Sequence, residues 1–165
     1  MDKIFSRASV RQFKDKKIHE EKLERILRAG MQAPTAGNQQ AWKFIVVTDK
    51  EVLAKLAKVH PYSGFVKDAP SAIVVVGDGD NAKYENYLDI DCAICTENIM
   101  LEAHHLDLGS CMIGIAPLED RISYVRECLA LNDSDRPFTI IVLGEPLATV
   151  DVKSRFDVSK ITYIK

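Results

Sequence analysis

The sequence predicts one domain built of both helices and strands, and three observations predict it. Four short apolar runs rich in valine and isoleucine recur at residues 42–48, 72–77, 109–115 and 138–144. Between them stand segments whose apolar residues fall at helical spacing. At 165 residues the chain is long enough to bury roughly 70% of its unfolded surface in one core. No repeat, linker or low-complexity stretch divides it, so residues 1–165 read as a single domain.

Taken in order, residues 2–8 read as a short first helix and Ser9 to Phe13 as extended. A second helix is expected over 19–32. Leu23, Ile26, Leu27 and Met31 form its apolar stripe, Glu20 and Glu21 suit its positive end, and Pro34 stops it. The run 42–48 is continuous enough for a strand buried on both faces. Asp49 is the expected N-cap of a helix carrying Val52, Leu53, Leu56 and Val59. Residues 60–64 have turn chemistry, 72–77 is a second buried strand, and 77–81 is a loop. The longest helix, 84–106, is apolar over much of its circumference, which asks for neighbours on more than one side. Strand 109–115, helix 118–131 and strand 138–144 follow. About 20 residues without helical period then close the chain, and 156–164 has strand composition but no hairpin partner. Such a strand often completes another subunit's sheet, so 145–165 reads as an extended arm onto a second copy, the alternative being a tail packed on its own domain.

Composition narrows the function classes. Apolar residues make up 47% and charged residues 28%, with a net charge of −2. That balance offers nothing to nucleic acid or to an anionic membrane surface. No apolar run approaches the ~18 residues of a membrane span, and the N-terminus does not lead into a signal-peptide core, so the cytoplasm is the expected location. Cys92 and Cys95 form a CxxC, but inside an apolar helical run rather than at a helix start, so they read as buried thiols. No histidine stands at ligand spacing from them, and no metal site is expected. His104 and His105 read as helix-packing residues. Gly77 and Gly79 lack the third glycine and the immediate helix of a dinucleotide fingerprint.

Positive charge is local, at Lys3, Arg7 and Arg11 and again at Lys153 and Arg155. Arg7, Ser9 and Arg11 can bring two guanidiniums and a hydroxyl to one ligand. The turn Ala33 to Gln40 carries the amides of Asn38 and Gln40, which can read donors and acceptors around a ring edge. Together they describe a pocket for a molecule with a phosphate at one end and a flat polar heterocycle at the other, and flavin mononucleotide (FMN) has that form.

The order of elements, with Arg7-x-Ser9-x-Arg11-x-Phe13, Ala33 to Trp42, the helix leading into Gly109 to Gly114, Val142 to Pro146 and the pair Lys153/Arg155, resembles the nitroreductase family in its short form. The resemblance covers nearly the whole chain. It implies an α+β fold with a central, mostly antiparallel sheet flanked by helices, whose edge strand is exchanged from the C-terminus of a homodimer partner. It implies one tightly bound FMN per subunit at the interface. Arg7 would bind the phosphate, joined by Lys153 and Arg155, while Ser9 and the backbone of Ala8 hold the ribityl chain and ring edge. Arg11 would stand near N1 and C2=O, where a fixed cation stabilises the reduced flavin. Pro34, Thr35, Asn38 and Gln40 would line the ring from the other subunit, and the backbone of Ile113, Gly114 and Ile115 would approach N5 and O4. Two positions depart from the family's habit: Ala41 where proline is usual, and Met112 where an aromatic is usual. Residues 60–67 fall where members vary most and receive no individual roles.

The activity so implied is a ping-pong oxidoreductase. NADH or NADPH reduces the flavin, and a small acceptor such as a nitroaromatic or quinone then takes the electrons in the same cleft. No side-chain nucleophile or other catalytic residue is required. Two alternatives stay open: a different flavin reaction, such as reductive dehalogenation, and a flavin-binding or delivery protein without turnover.

Overall fold

The computed structural model describes every residue except Met1, Asp2 and Lys153, so the expected role of Lys153 lies outside the described residues. Four strands form the centre: β1 (Trp42–Val47), β2 (Ser71–Asp78), β3 (Gly109–Gly114) and β4 (Asp135–Gly144). They lie in the order β1-β2-β4-β3, every neighbouring pair antiparallel. The helices are α1 (Lys3–Ser6), α2 (Glu20–Met31), α3 (Lys50–Leu56), α4 (Leu88–His105) and α5 (Glu119–Cys128). The α+β architecture with a mostly antiparallel sheet is thus the one the resemblance implied.

Position in the sheet decides burial. β2 is central and buried along its whole length, its residues facing both layers. One layer packs Leu53, Leu56, Ile122 and Val125 of α3 and α5 against Val74, Val76 and Ile140. The other packs Ile26, Cys92, Cys95 and Ile99 of α2 and α4 against Ile73, Val75 and Ile141. β1 was expected to be buried on both faces but is an edge strand, and most of its residues are half-buried. β4 starts at Asp135, three residues before the expected 138, because its first residues pair with the end of β2. Pro137 is tolerated there at a register shift between Val75 and Val76, where the ladder is already interrupted.

Local chemistry follows the sequence reading at the helix ends. Asp49 caps α3, its carboxylate accepting from the backbone N–H groups of Glu51 and Val52. In α2, Leu23 and Ile26 are buried, but Met31 is 49% exposed at the last turn. α4 packs on α2 and on the sheet, yet Tyr87, Ile90 and Ile94 remain exposed along its third side. Among the described residues no helix is long and apolar enough to cross a membrane.

After β4 the chain pairs with the N-terminal segment as far as Leu147, whose N–H donates to the Gln12 carbonyl, and then runs exposed. Residues 156–164, expected to be a strand, form none within the chain: Val158–Lys160 is a 3₁₀ turn and the flanking backbone is irregular. Leu147, Phe156, Val158, Tyr163 and Ile164 are all at least 60% exposed. The sheet's own β3 edge is already bridged, by Ser9 to Ser110, while Phe13 bridges Pro146.

Candidate functional site

The segment that follows Arg7, whose N–H closes the last turn of α1 on the Lys3 carbonyl, runs along the edge of β3. Ser9 forms a parallel bridge with Ser110, and the Val10 N–H donates to the Ser110 carbonyl at 2.9 Å. In extended backbone alternate residues share a face. Val10 is buried against Gly109, and Arg7, Ser9 and Arg11 all act on one neighbouring side chain, that of Cys111. This two-residue period explains why the cations sit at spacing two around a serine.

Two clefts flank this segment. The first, about 700 Å³, lies between Arg7, Ala8, Ser110 and the start of the arm, residues 146–152. Arg7 is the least exposed cation there: its side chain is 15% exposed, and its Nε lies 3.5 Å from Glu97 Oε1. Its Nη1 is buried without a hydrogen-bond partner, and so is the Oγ of the neighbouring Ser110. Unpaired buried donors are costly, and a phosphate oxygen would satisfy the guanidinium. The site also includes groups that the sequence reading left aside. Lys3 Nζ donates to the His104 carbonyl at the end of α4 and lies 3.3 Å from Asp107. His104 Nε2 shares a 2.8 Å hydrogen bond with Ser6 Oγ. Burial, then the charges of Lys3 and Arg7, hold the His104 imidazole below the ordinary histidine pKa. His104 is therefore a packing residue, as expected, but one facing the arginine cluster.

The second cleft, about 470 Å³, is lined by Arg11, His60, Tyr62, Phe65, Cys111 to Gly114 and Arg121. It brings Arg11 to the backbone of Ile113 and Gly114, two of the positions named from sequence. An added Cβ at Gly114 would meet nothing within 4 Å, so this backbone is open to a ligand. Ile115 differs. Its side chain is fully buried and its N–H donates to the Phe138 carbonyl, so it belongs to the core and not to the cleft wall. Met112 is half-exposed at the cleft. Burial raises the Cys111 thiol pKa, and Arg11, Arg7 and a hydrogen bond from Ser9 oppose that shift.

Pro34, Thr35, Asn38 and Gln40 line neither cleft within one chain. They form a separate turn with an unusual backbone: Gly37, Asn38 and Gln40 have φ of 53°, 54° and 49°. Left-handed backbone costs energy at residues with a Cβ, so something must hold it. Asp91, buried in the first turns of α4, does. It accepts from the Ala36 N–H at 3.0 Å and from Gln39 Nε2 at 2.6 Å. The Gln39 amide is locked at its other end by the Tyr84 N–H at 2.9 Å. The Gln40 N–H then donates to Thr35 Oγ1, and Gln40 Nε2 to Asn38 Oδ1. Asn38 and Gln40 are thereby presented outward as one unit. An acid among the buried, mostly apolar residues of α4 is the sequence signal for this role.

Arg155 is exposed and lines neither cleft. Cys92 and Cys95 are fully buried, with thiol pKa values pushed up chiefly by burial, that of Cys95 to about 12. They are packing residues, not a redox pair.

Comparison with known proteins fits this arrangement. The chain matches the family described as "Nitroreductase family" over residues 4–60 and 57–145. It is 38% identical over 161 residues to a Methanothermobacter thermautotrophicus protein named "Putative NADH dehydrogenase/NAD(P)H nitroreductase", covering 98% of this chain and 84% of that one. Its structure superposes on that of a "Putative NADH Oxidase" from Clostridium acetobutylicum with a TM-score of 0.96 at 41% identity, over 99% of both chains. An FMN-dependent nitroreductase from Clostridium difficile R20291 gives a TM-score of 0.91 at 30% identity, over 99% of this chain and 98% of that one. With sequence and fold in agreement over almost its whole length, the chain belongs to the nitroreductase family of oxidoreductases.

Proposed function

We propose that this protein is an FMN-dependent oxidoreductase that takes electrons from NADH or NADPH and delivers them to a small acceptor such as a quinone or nitroaromatic. The observation that carries the reading is Arg7: a largely buried guanidinium with an unpartnered Nη1 at the wall of a large cleft. That is the chemistry of a phosphate seat. Arg7 would hold the phosphate, Ser9 and the Ala8 backbone the ribityl chain, Arg11 the pyrimidine edge, and the Ile113–Gly114 backbone the opposite edge. When bound, FMN supplies two-electron hydride chemistry between a nicotinamide donor and an oxidised acceptor. The chain's own contribution is to fix the ring, to place the Arg11 charge where reduction adds electron density, and to leave one face open.

The working unit in this reading is a homodimer. The turn bearing Asn38 and Gln40 is hydrogen-bonded in place but lines neither cleft of its own chain, so it would serve the site of a second protomer, with Pro34 and Thr35. The exposed stretches of the arm, residues 147–152 and 154–165, and the exposed apolar side of α4 are the surfaces that association would cover. Arg155 and Lys153 would reach the phosphate by way of the arm.

Donor and acceptor would occupy the same face in turn, giving ping-pong kinetics. The overall reaction balances as quinone + NAD(P)H + H⁺ → hydroquinone + NAD(P)⁺, or for a nitro group as ArNO₂ + NAD(P)H + H⁺ → ArNO + NAD(P)⁺ + H₂O. The test is direct. The purified protein is expected to be yellow, to release FMN and not FAD on denaturation, and to oxidise NAD(P)H with menadione or nitrofurazone along parallel double-reciprocal lines. Bound flavin without acceptor-dependent turnover would identify a carrier instead, and a colourless protein that refuses FMN would end the reading.

A further inference from the structure

The second cleft holds one charge that the reading above leaves unused, that of Arg121. Among the described residues its walls carry two guanidiniums, Arg11 and Arg121, and no carboxylate. Arg121 stands in the first turns of α5, and its Nη1 donates to the Gly114 carbonyl at 2.9 Å. A guanidinium has five N–H donors in a planar fork, and this bond engages one of them while fixing the group beside the open Gly114 backbone. On another wall, His60 Nδ1 accepts the Tyr62 N–H at 3.0 Å. That bond makes the neutral ring an Nε2–H tautomer, which is a donor. The Tyr62 ring lies 5.2 Å from the His60 ring and is 83% exposed, a flat surface at the cleft mouth.

We propose that this cleft takes a planar acceptor bearing an anionic oxygen group, of the class of aromatic carboxylates, and that Arg121 is the residue that selects it. The inference rests on the oxidoreductase reading. If Arg11 and the Ile113–Gly114 backbone hold the flavin, then Arg121, His60 and Tyr62 are what a second reactant meets. A guanidinium fork matches a carboxylate with two parallel hydrogen bonds. A cleft with positive charge and no carboxylate attracts anions and repels cations. A neutral isostere of the same shape forfeits the charge-assisted bonds and leaves their donors less well satisfied.

The experiment compares 4-nitrobenzoate with 4-nitrobenzamide, which share ring and nitro group and differ in charge. The readout is their kcat/KM ratio in the flavin-loaded wild type, Arg121→Gln and Arg121→Lys, with NADH and with NADPH. Calorimetric Kd values for benzoate and benzamide on the same three proteins give a binding readout without turnover. The carboxylate is expected to be favoured by about tenfold in the wild type, the preference to vanish in Arg121→Gln, and part of it to survive in Arg121→Lys. The Kd values should follow the same order. A wild-type ratio near one, or a preference untouched by Arg121→Gln, overturns the proposal. So does a changed NADPH-over-NADH preference with an unaltered acceptor ratio, which would assign the arginine to the donor's phosphate. Failure of the wild type to oxidise NAD(P)H with uncharged menadione is instead the failure of the oxidoreductase reading, and the Kd comparison then still judges the cleft.

Discussion

Replacing Asp91 tests whether the strained turn that carries Asn38 and Gln40 is held from beneath. Asp91 is 3% exposed and accepts two hydrogen bonds, from the Ala36 N–H and the Gln39 side-chain amide. Hydrogen bonds to a charged group contribute about 1.5–3 kcal/mol each. Asp91→Ala removes both and leaves the Ala36 N–H without its acceptor, for an expected cost of about 3–5 kcal/mol. Asp91→Asn is the gentler probe. Its amide oxygen can still serve Ala36, but its NH₂ then faces the Gln39 NH₂. Gln39 cannot turn over without surrendering its bond from the Tyr84 N–H. One charge-assisted bond is lost, or about 1.5–2 kcal/mol. Because the turn already holds Asn38 and Gln40 at positive φ, that loss is enough to release it locally. FMN titration should show affinity weakened by roughly tenfold in Asp91→Asn, since about 1.4 kcal/mol is one decade. Amide exchange over residues 35–40 should quicken while exchange in β2 stays slow. Unchanged FMN affinity together with unchanged exchange in the turn would refute the reasoning.

Three further outcomes follow from the same geometry. Arg7→Ala should chiefly weaken FMN retention, whereas Arg11→Ala should lower the flavin's two-electron potential more than it weakens binding; equal effects on potential would abolish this division of roles. Gly37→Ala should cost about 1–2 kcal/mol from its backbone alone, at φ 53°, and more because the new methyl meets the Tyr84 ring; an unfolding midpoint equal to wild type would refute it. His104 has a folded pKa below its ordinary 6.5, so between those two values the unfolded chain binds more protons. The stability it contributes is present above about pH 6.5 and is lost as pH falls through the folded value. Urea midpoints measured from pH 7 down to 5 should therefore decline less steeply in His104→Asn than in the wild type.

Periodicity made most elements legible. The stripe Leu23, Ile26 and Leu27, the cap at Asp49 and the β-branched runs of β2 and β4 are local patterns that any packing partner would accept. Edges and ends were less legible. Trp42 to Val47 is as apolar as β2, but only pairing reveals that one strand is central and the other has a free edge. The start of β4 was hidden behind Pro137, which a strand rejects unless a bulge receives it. At the site, the Arg7, Ser9 and Arg11 spacing was readable because extended backbone places alternate residues together. Ile115 was named with its neighbours, yet the same alternation turns it into the core.

The sequence alone determined which elements form, which faces are apolar, and that cations and amides cluster at two places, since those facts depend on residues a few positions apart. Tertiary structure decided which clusters meet. It gave Arg7 and Arg11 different clefts beside one strand edge, set the Asn38–Gln40 turn on a buried Asp91, and fixed Arg121 on the Gly114 carbonyl. Asp91 meets Ala36 and Gln39 from more than fifty residues away, a separation along the chain that says nothing of distance in space, and only the packing of helices on a common sheet can set that distance.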